Sequence, residues 1–310
     1  MKFVVCGEAL VDLVPETQCS TFASTWQAQS AGGPMNTAIA LARLGENVEF
    51  CGRISRDDFG RQIAEHLADN HVGAAHLVRT DDPTSLAVVS LDEQGKASYA
   101  FHFSGTSNFG WGAEELTAPA EGSWLHVASL ALVVPPSNQV LLEWARNHRG
   151  PMSIDVNVRP TVIPDRQEYW RRIQPWFEVL GEHAGVLKAS DEDLVFLARG
   201  AGMEPDPLEA ARRWSDQFGF SLAVTTLGPD GAVAQRTGQP DITVPGERIE
   251  LADTIGAGDT FMGAFLRAHA NDPADLAGSL QEAVVASALV CERHGAQPPT
   301  GAELSDRLRR

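Results

Sequence analysis

A chain of 310 residues, 43% hydrophobic and 21% charged, has a globular composition and is long enough for one large α/β domain or two ordinary ones. Its net charge of -17, with no Lys/Arg block, argues against a nucleic-acid partner, because phosphates need cations concentrated on one face. The longest apolar-looking stretch, Trp124 to Val134, holds His126 and Ser129 and ends at Pro135-Pro136, too short to span a bilayer. The start of the chain, where Phe3 to Cys6 is broken at once by Gly7-Glu8, is not a signal peptide. Cys6, Cys19, Cys51 and Cys291 lack CxxC or zinc-type spacing, so buried free thiols in a cytoplasmic protein are expected.

In chain order, Phe3 to Cys6 reads as a buried strand, with Glu8 and Asp12 running out of its end. Ligands of open α/β sheets collect at strand ends, so Asp12 is a candidate acceptor for sugar hydroxyls; a solvated loop carboxylate is the plainer reading. Gln27 to Gly45 places Gly32-Gly33 before Asn36 and then Ala38, Leu41 and Ala42 at helical spacing, with Gly45 as terminator. The glycine pair is a turn, a hinge or a point where a ligand nears the backbone. Val48 to Cys51 is a short strand, and Asp57 to Asn70 a helix with a buried stripe of Phe59, Ile63 and Leu67. After a turn at Asp92-Glu93-Gln94-Gly95, Ala97, Tyr99, Phe101 and Phe103 alternate with Ser98, Ala100, His102 and Ser104. This is a hairpin with one aromatic face, suited to a lid, a dimer surface or ordinary sheet packing.

From Trp124 onward, strands at Trp124 to Ala128, Met152 to Val156, Gly185 to Lys188 and Leu222 to Thr226 are separated by helical patterns, the first being Asn138 to His148. That alternation favours βαβ units and a mostly parallel sheet. Asp155-Val156-Asn157-Val158-Arg159 puts three polar side chains on one face of a strand end, where they need partners, a ligand among the options. Ser190-Asp191-Glu192-Asp193 precedes an apolar helix from Leu194. It is either a charge pattern at a helix start or a water-mediated Mg²⁺ site. Leu227 to Gly231 is a turn, and Leu280 to Arg293 an Ala-rich helix.

The most informative stretch is Leu251 to Phe265, LADTIGAGDTFMGAF. Gly256 and Gly258 let successive N–H groups converge on an anion, and a helix starting at Asp259 adds its positive end. A carboxylate beside an anion site is explained if it takes a proton from a hydroxyl attacking a phosphoryl group held there; helix capping is the bland alternative. No Walker loop, GxGxxG after a strand, HExxH or GxSxG occurs.

With DTIGAGD at Asp253 to Asp259, Gly32-Gly33 with Asn36, the Asp12 segment, the Asp155-Asn157-Arg159 strand end, and Thr226-Leu227-Gly228 with Gly231, the whole chain resembles the ribokinase-like carbohydrate kinases, the fructokinase branch most closely. The resemblance implies a single kinase domain over residues 1–310. Its fold is a Rossmann-like three-layer α/β/α sandwich with a mostly parallel sheet and a small β lid, its strands inserted at about 12–31 and 84–107. It implies transfer of the γ-phosphate of MgATP to a hydroxyl of a neutral monosaccharide, fructose first, ribose or 2-keto-3-deoxygluconate behind it.

By the same resemblance, Asp259 is the base and the amides of Gly256, Ala257 and Gly258 the anion hole. Asp12, Gly32, Gly33, Asn36, Phe101, Asn157 and Arg159 meet the substrate, and Lys188, Ser190, Thr226, Gly228 and Gly231 the nucleotide. Asp193 would hold Mg²⁺ through water, while Asp253, the Ile255 carbonyl and Gly295 resemble a monovalent-cation (K⁺) site. The lid would form a homodimer. Ser190 and Val290 stand where relatives carry Asn, and Asp193 reaches less far than the family's Glu. A regulatory sugar or nucleotide sensor without turnover is the alternative from another class.

Overall fold

The computed structural model describes residues 1–18, 20, 22–91 and 97–309; the expected turn at Asp92 to Gly95 and the thiol of Cys19 lie outside them. The first half contains β1 (Lys2–Cys6), β2 (Leu10–Gln18), β3 (Ser24–Ala31), α1 (Gly33–Arg43), β4 (Asn47–Ser55), α2 (Asp58–Asp69), β5 (Leu77–Thr80), β6 (Leu86–Leu91), β7 (Ala97–His102), β8 (Trp124–Ala128) and α3 (Ser137–Arg146). Then come β9 (Met152–Asp155), α4 (Arg166–Glu182), β10 (Val186–Ser190), α5 (Asp191–Gly200), α6 (Pro207–Phe218) and β11 (Leu222–Thr226). The chain closes with β12 (Ala232–Arg236), β13 (Ile242–Val244), α7 (Ala257–Asn271), α8 (Leu276–Cys291) and α9 (Gly301–Leu308).

Strands that are apolar on both faces must be covered on both. In β1, Phe3 and Val5 enter one core while Val4 and Cys6 enter another. In β10, Val186 joins the first and Leu187 and Ala189 the second. The sheet runs β13-β12-β11-β10-β9-β8-β1-β4-β5, parallel from β11 to β5 with β12 and β13 antiparallel at one edge. Residues of α1, α2, α7, α8 and α9 fill the first core, and those of α3 to α6 the second. The result is the expected three-layer α/β/α arrangement. The second core is anchored by aromatics: Trp176, Phe177 and Trp214 are fully buried, and Trp170 stacks on Trp214 at 5.0 Å. Burying each such ring is worth roughly 1.5–3 kcal/mol or more.

Three residues, Gly7 to Ala9, link β1 to the smaller sheet, ordered β3-β2-β6-β7. Its back is apolar, with Leu13, Ala28 and Leu86 packed on the first core. On its front, register aligns Gln29, Asp12, Ala87 and Phe101 in one row; Tyr99, two residues from Phe101, shares that face. The sheet is pinned at its root. The Ala9 N–H donates to Asn108 Oδ1 and Asn108 Nδ2 to Ser85 Oγ, while Asp57 caps α2 and accepts from the N–H and hydroxyl of Thr84.

Several elements depart from expectation. Helix α7 begins at Ala257, two residues before Asp259, because Gly256 at φ 76° supplies the turn. Strand β9 stops at Asp155, and Asn157 takes a positive φ of 38°, so Asn157 and Arg159 do not continue one strand face with Asp155. Asp12 lies within β2, not in a loop. Phe103 falls beyond β7 and packs edge-on against Phe109 at 5.4 Å, leaving only Tyr99 and Phe101 on the aromatic face. Among the described residues no helix is long and apolar enough to cross a membrane, and Cys6, Cys51 and Cys291 are buried free thiols.

Since Asp57 serves both a helix start and the root of the smaller sheet, Asp57→Ala should lower stability by about 1–2 kcal/mol, read as a lower urea midpoint.

Candidate active site

The loop ahead of α7 is shaped by one carboxylate. Asp253 Oδ1 accepts the Ile255 N–H and Oδ2 the Gly295 N–H, each at 3.0 Å, so the three residues of the expected cation site lie together. Gly256 then turns through its positive φ; a side chain there would also strike Ala296, whose Cβ would be 2.7 Å away. Beyond the turn, the Ala257 N–H donates to the Thr254 carbonyl at 3.2 Å. The amides of Gly256 and Gly258 have no acceptor among the described residues, so two of the three expected anion-hole amides are free. The positive end of α7 adds to them.

Asp259 occupies the first turn of α7 and meets the first turn of α1. Asn36 Nδ2 donates to Asp259 Oδ2 at 2.9 Å, and Thr37 Oγ1 bonds both the Gly33 and Asp259 carbonyls. Gly33 is glycine because the space is needed: a Cβ would sit 2.9 Å from Asn157 Nδ2 and 3.1 Å from Asp259 Oδ1. Gly32, at φ 129°, packs against the backbone of Glu8 and Ala9. Burial raises the Asp259 carboxyl above its ordinary range, opposed by the Asn36 bond and the charges of Lys188 and Arg159. Oδ1 has no bond among the described residues and lies beside Gly33.

Asp12 is half-buried, and desolvation pushes its pKa up to about 6 against the pull of Arg159. Arg159 stands in the field of Glu8, Asp12 and Asp259, yet among the described residues its side chain bonds only the Val158 carbonyl. Most of its donors remain for a ligand. Tyr99 senses Asp12, Arg159 and Asp253 and stacks on Phe101 at 6.1 Å, so the aromatic pair faces the site and does not form an outward surface.

Ser190 and Thr226 end neighbouring strands in register, with Gly228 and Gly231 in the turn that follows β11. Ser190 and Asp193 form a reciprocal cap: Ser190 Oγ accepts the Asp193 N–H, Asp193 Oδ2 the Ser190 N–H, and Oδ1 the Val158 N–H. Both Asp193 oxygens are therefore engaged by amides. No group of three or more His, Cys, Asp or Glu among the described residues could hold a metal ion. Val290 is buried in α8.

Two features escaped the sequence reading: the buried pair of Lys188 Nζ with Asp155 Oδ2 at 2.7 Å, and the burial of Glu8, which is 3% exposed with Oε2 unpartnered among the described residues; the sequence shows Tyr99 only as part of an aromatic hairpin face. A usable signal existed for the first. A Lys and an Asp inside two apolar strands must find each other or a ligand.

The model of the pfkB family carbohydrate kinases matches residues 1–302. The chain belongs to this family, and is thus a phosphotransferase that acts on sugar hydroxyls. It is 31% identical to a fructokinase of Vibrio alginolyticus over 312 residues, 97% of this chain and 96% of that one. Among solved structures, a fructokinase of Vibrio cholerae with fructose, ADP and calcium bound superposes with a TM-score of 0.85 at 28% identity, covering 99% and 98% of the two chains. A double-mutant form of that protein, with fructose, ADP and potassium, gives the same score, identity and coverage.

A carboxyl whose pKa is raised on folding stabilises the protein when protonated and loses that contribution as pH climbs through its folded value. Asp12→Asn should therefore raise unfolding stability at pH 7 by about 1–2 kcal/mol, allowing for solvent at this half-buried position. Thermal melts should show the gain vanishing near pH 4.

Proposed function

We propose that this kinase is a fructokinase, transferring the γ-phosphate of MgATP to a hydroxyl of fructose. The observation that carries the reading is that Asp259, its carboxyl pKa raised by burial and its Oδ1 unbonded among the described residues, directly follows the Gly256 and Gly258 amides, which have no acceptor there. Asp12, Asn36, Asn157 and Arg159 orient the sugar between the two sheets. The hydroxyl gives its proton to Asp259 as its oxygen attacks phosphorus, while the amides stabilise the equatorial oxygens. Lys188, Ser190, Thr226, Gly228 and Gly231 border the nucleotide. Asp193 would hold Mg²⁺ through water, and that ion, bound with the triphosphate, would supply neutralising charge. A K⁺ ion would sit beside Asp253, with the Ile255 carbonyl and the Gly295 region, which Asp253 gathers through the Ile255 and Gly295 N–H groups.

Two further parts belong to this reading. The chain works as one kinase domain whose smaller sheet is a lid, and a homodimer forms through that lid. Support for the dimer comes from exposed Trp26 and its neighbour in sequence Phe22, 41% and 98% accessible; light scattering at micromolar concentration should show twice the monomer mass.

ADP release should be fastest with fructose when compared with ribose, 2-keto-3-deoxygluconate and fructose 6-phosphate. Binding of sugar and ATP without ADP production would instead favour a sensor. Asp259→Asn should reduce kcat by about 10²- to 10⁴-fold with little change in ATP affinity. Both carboxylates act ionised, so kcat/KM for the sugar should fall as pH drops, with a limb near the Asp12 value of about 6.

A further inference from the structure

Glu8 is the middle residue of the three that carry the chain from β1 into the smaller sheet. A glutamate is rarely buried without a partner, yet this one is 3% exposed and its Oε2 has none among the described residues. The main chain around it has no slack. The Gly7 N–H donates to the Cys51 carbonyl and the Ala9 N–H to Asn108 Oδ1, each at 3.1 Å. Gly32 covers the Glu8 carbonyl so closely that a Cβ there would be 2.5 Å from that oxygen. A buried acceptor fixed in this way and left unmet needs an explanation.

A cation with unmet donors lies in its field. Burial raises the Glu8 carboxyl above its ordinary range, opposed by the Ser129 hydroxyl, the Glu8 N–H, the charge of Arg159 and the Leu130 N–H. Arg159 sits on a segment braced from behind: its own N–H donates to the Tyr169 hydroxyl at 3.3 Å and the Val158 N–H to Asp193 Oδ1 at 2.9 Å. The same segment meets the glycine pair that covers Glu8, since a Cβ on Gly33 would be 2.9 Å from Asn157 Nδ2. The guanidinium has five N–H donors, and among the described residues it bonds only the Val158 carbonyl.

We propose that Glu8 is a positioning residue for Arg159: when the sugar enters, Glu8 Oε2 accepts one guanidinium N–H, and that bond turns the remaining N–H groups onto the sugar. This rests on the sugar-kinase reading above and adds to it a residue that acts through another. The place of Glu8 in the chain gives the bond a second effect. Glu8 leads into the strand that carries Asp12, so the arginine that meets the sugar is oriented from the root of the smaller sheet.

The test compares wild type with Glu8→Gln, Arg159→Gln and the double variant in ADP release, with ATP saturating and fructose varied. Glu8→Gln keeps an oxygen for Ser129 and Leu130 but turns an NH2 group toward Arg159, donor against donor. It should raise the fructose KM by about tenfold, the scale of one charge-assisted bond, and change kcat and the ATP KM by less than about threefold. Because it removes a buried charge, it should melt no lower than wild type. In the Arg159→Gln background the same substitution should cost less than about twofold, since the residue it acts through is gone. A crystal structure of wild type with fructose should place Glu8 Oε2 about 3 Å from a guanidinium nitrogen, whatever the variants do.

An unchanged fructose KM in folded Glu8→Gln, a loss of the same size in the Arg159→Gln background, or a fructose complex in which Oε2 and the guanidinium are not bonded would overturn the proposal. If wild type prefers another sugar of the panel, the fructokinase reading fails, and the same comparison with that sugar decides the role of Glu8. If wild type neither binds nor phosphorylates any of them, both fail.

Discussion

The site depends on two helices that begin at the same point. The first turns of α1 and α7 are joined by Asn36 to Asp259 and by Thr37 to two carbonyls, so two positive helix ends converge where Gly33 leaves room. Helices held by their starts cannot both be capped in the ordinary way. Neither Gly32 nor Gly256 offers a side chain for the purpose. The unsatisfied amides that would be a defect elsewhere suit an anion, as the proposed function requires, and burial raises the pKa of the carboxylate among them while Asn36 positions it.

The same economy appears in the acids. Asp12 and Asp155 are each pushed to a pKa of about 6 by loss of solvent, which stores unfavourable energy at positions where a ligand or a cation relieves it. Folded stability comes from elsewhere, chiefly the two apolar cores on either side of the large sheet. A protein can sustain such strained charges when its burial is large and its strands are covered on both faces.

Much of this was legible in the sequence. Trp124 to Ala128 and Leu222 to Thr226 were readable to the residue because they are short apolar runs bounded by breakers. The helix from Asp57 to Asn70 was readable from its caps and its three-residue stripe. Position 157 was not, since alternation of polar and apolar residues in Asp155 to Arg159 mimics a strand while the backbone has already turned. The start of α7 was missed by two residues because Asp usually caps a helix, and here a glycine in a left-handed conformation does so. Side-chain pairings across strands, such as Lys188 with Asp155, depend on register between segments far apart, which local pattern does not carry.

The link from β1 to β2 is only Gly7, Glu8 and Ala9, so the strand bearing Asp12 is nearly a continuation of β1, an interior strand of the large sheet. The smaller sheet is therefore less a separate cover than an outrigger on a short, stiff arm. The bonds that join Ala9 and Ser85 to Asn108 brace that arm. Rocking about the arm would change the spacing between Asp12 and Asp259 directly, so in the lid reading proposed above closing the sheet and aligning a bound molecule would be one mechanical event.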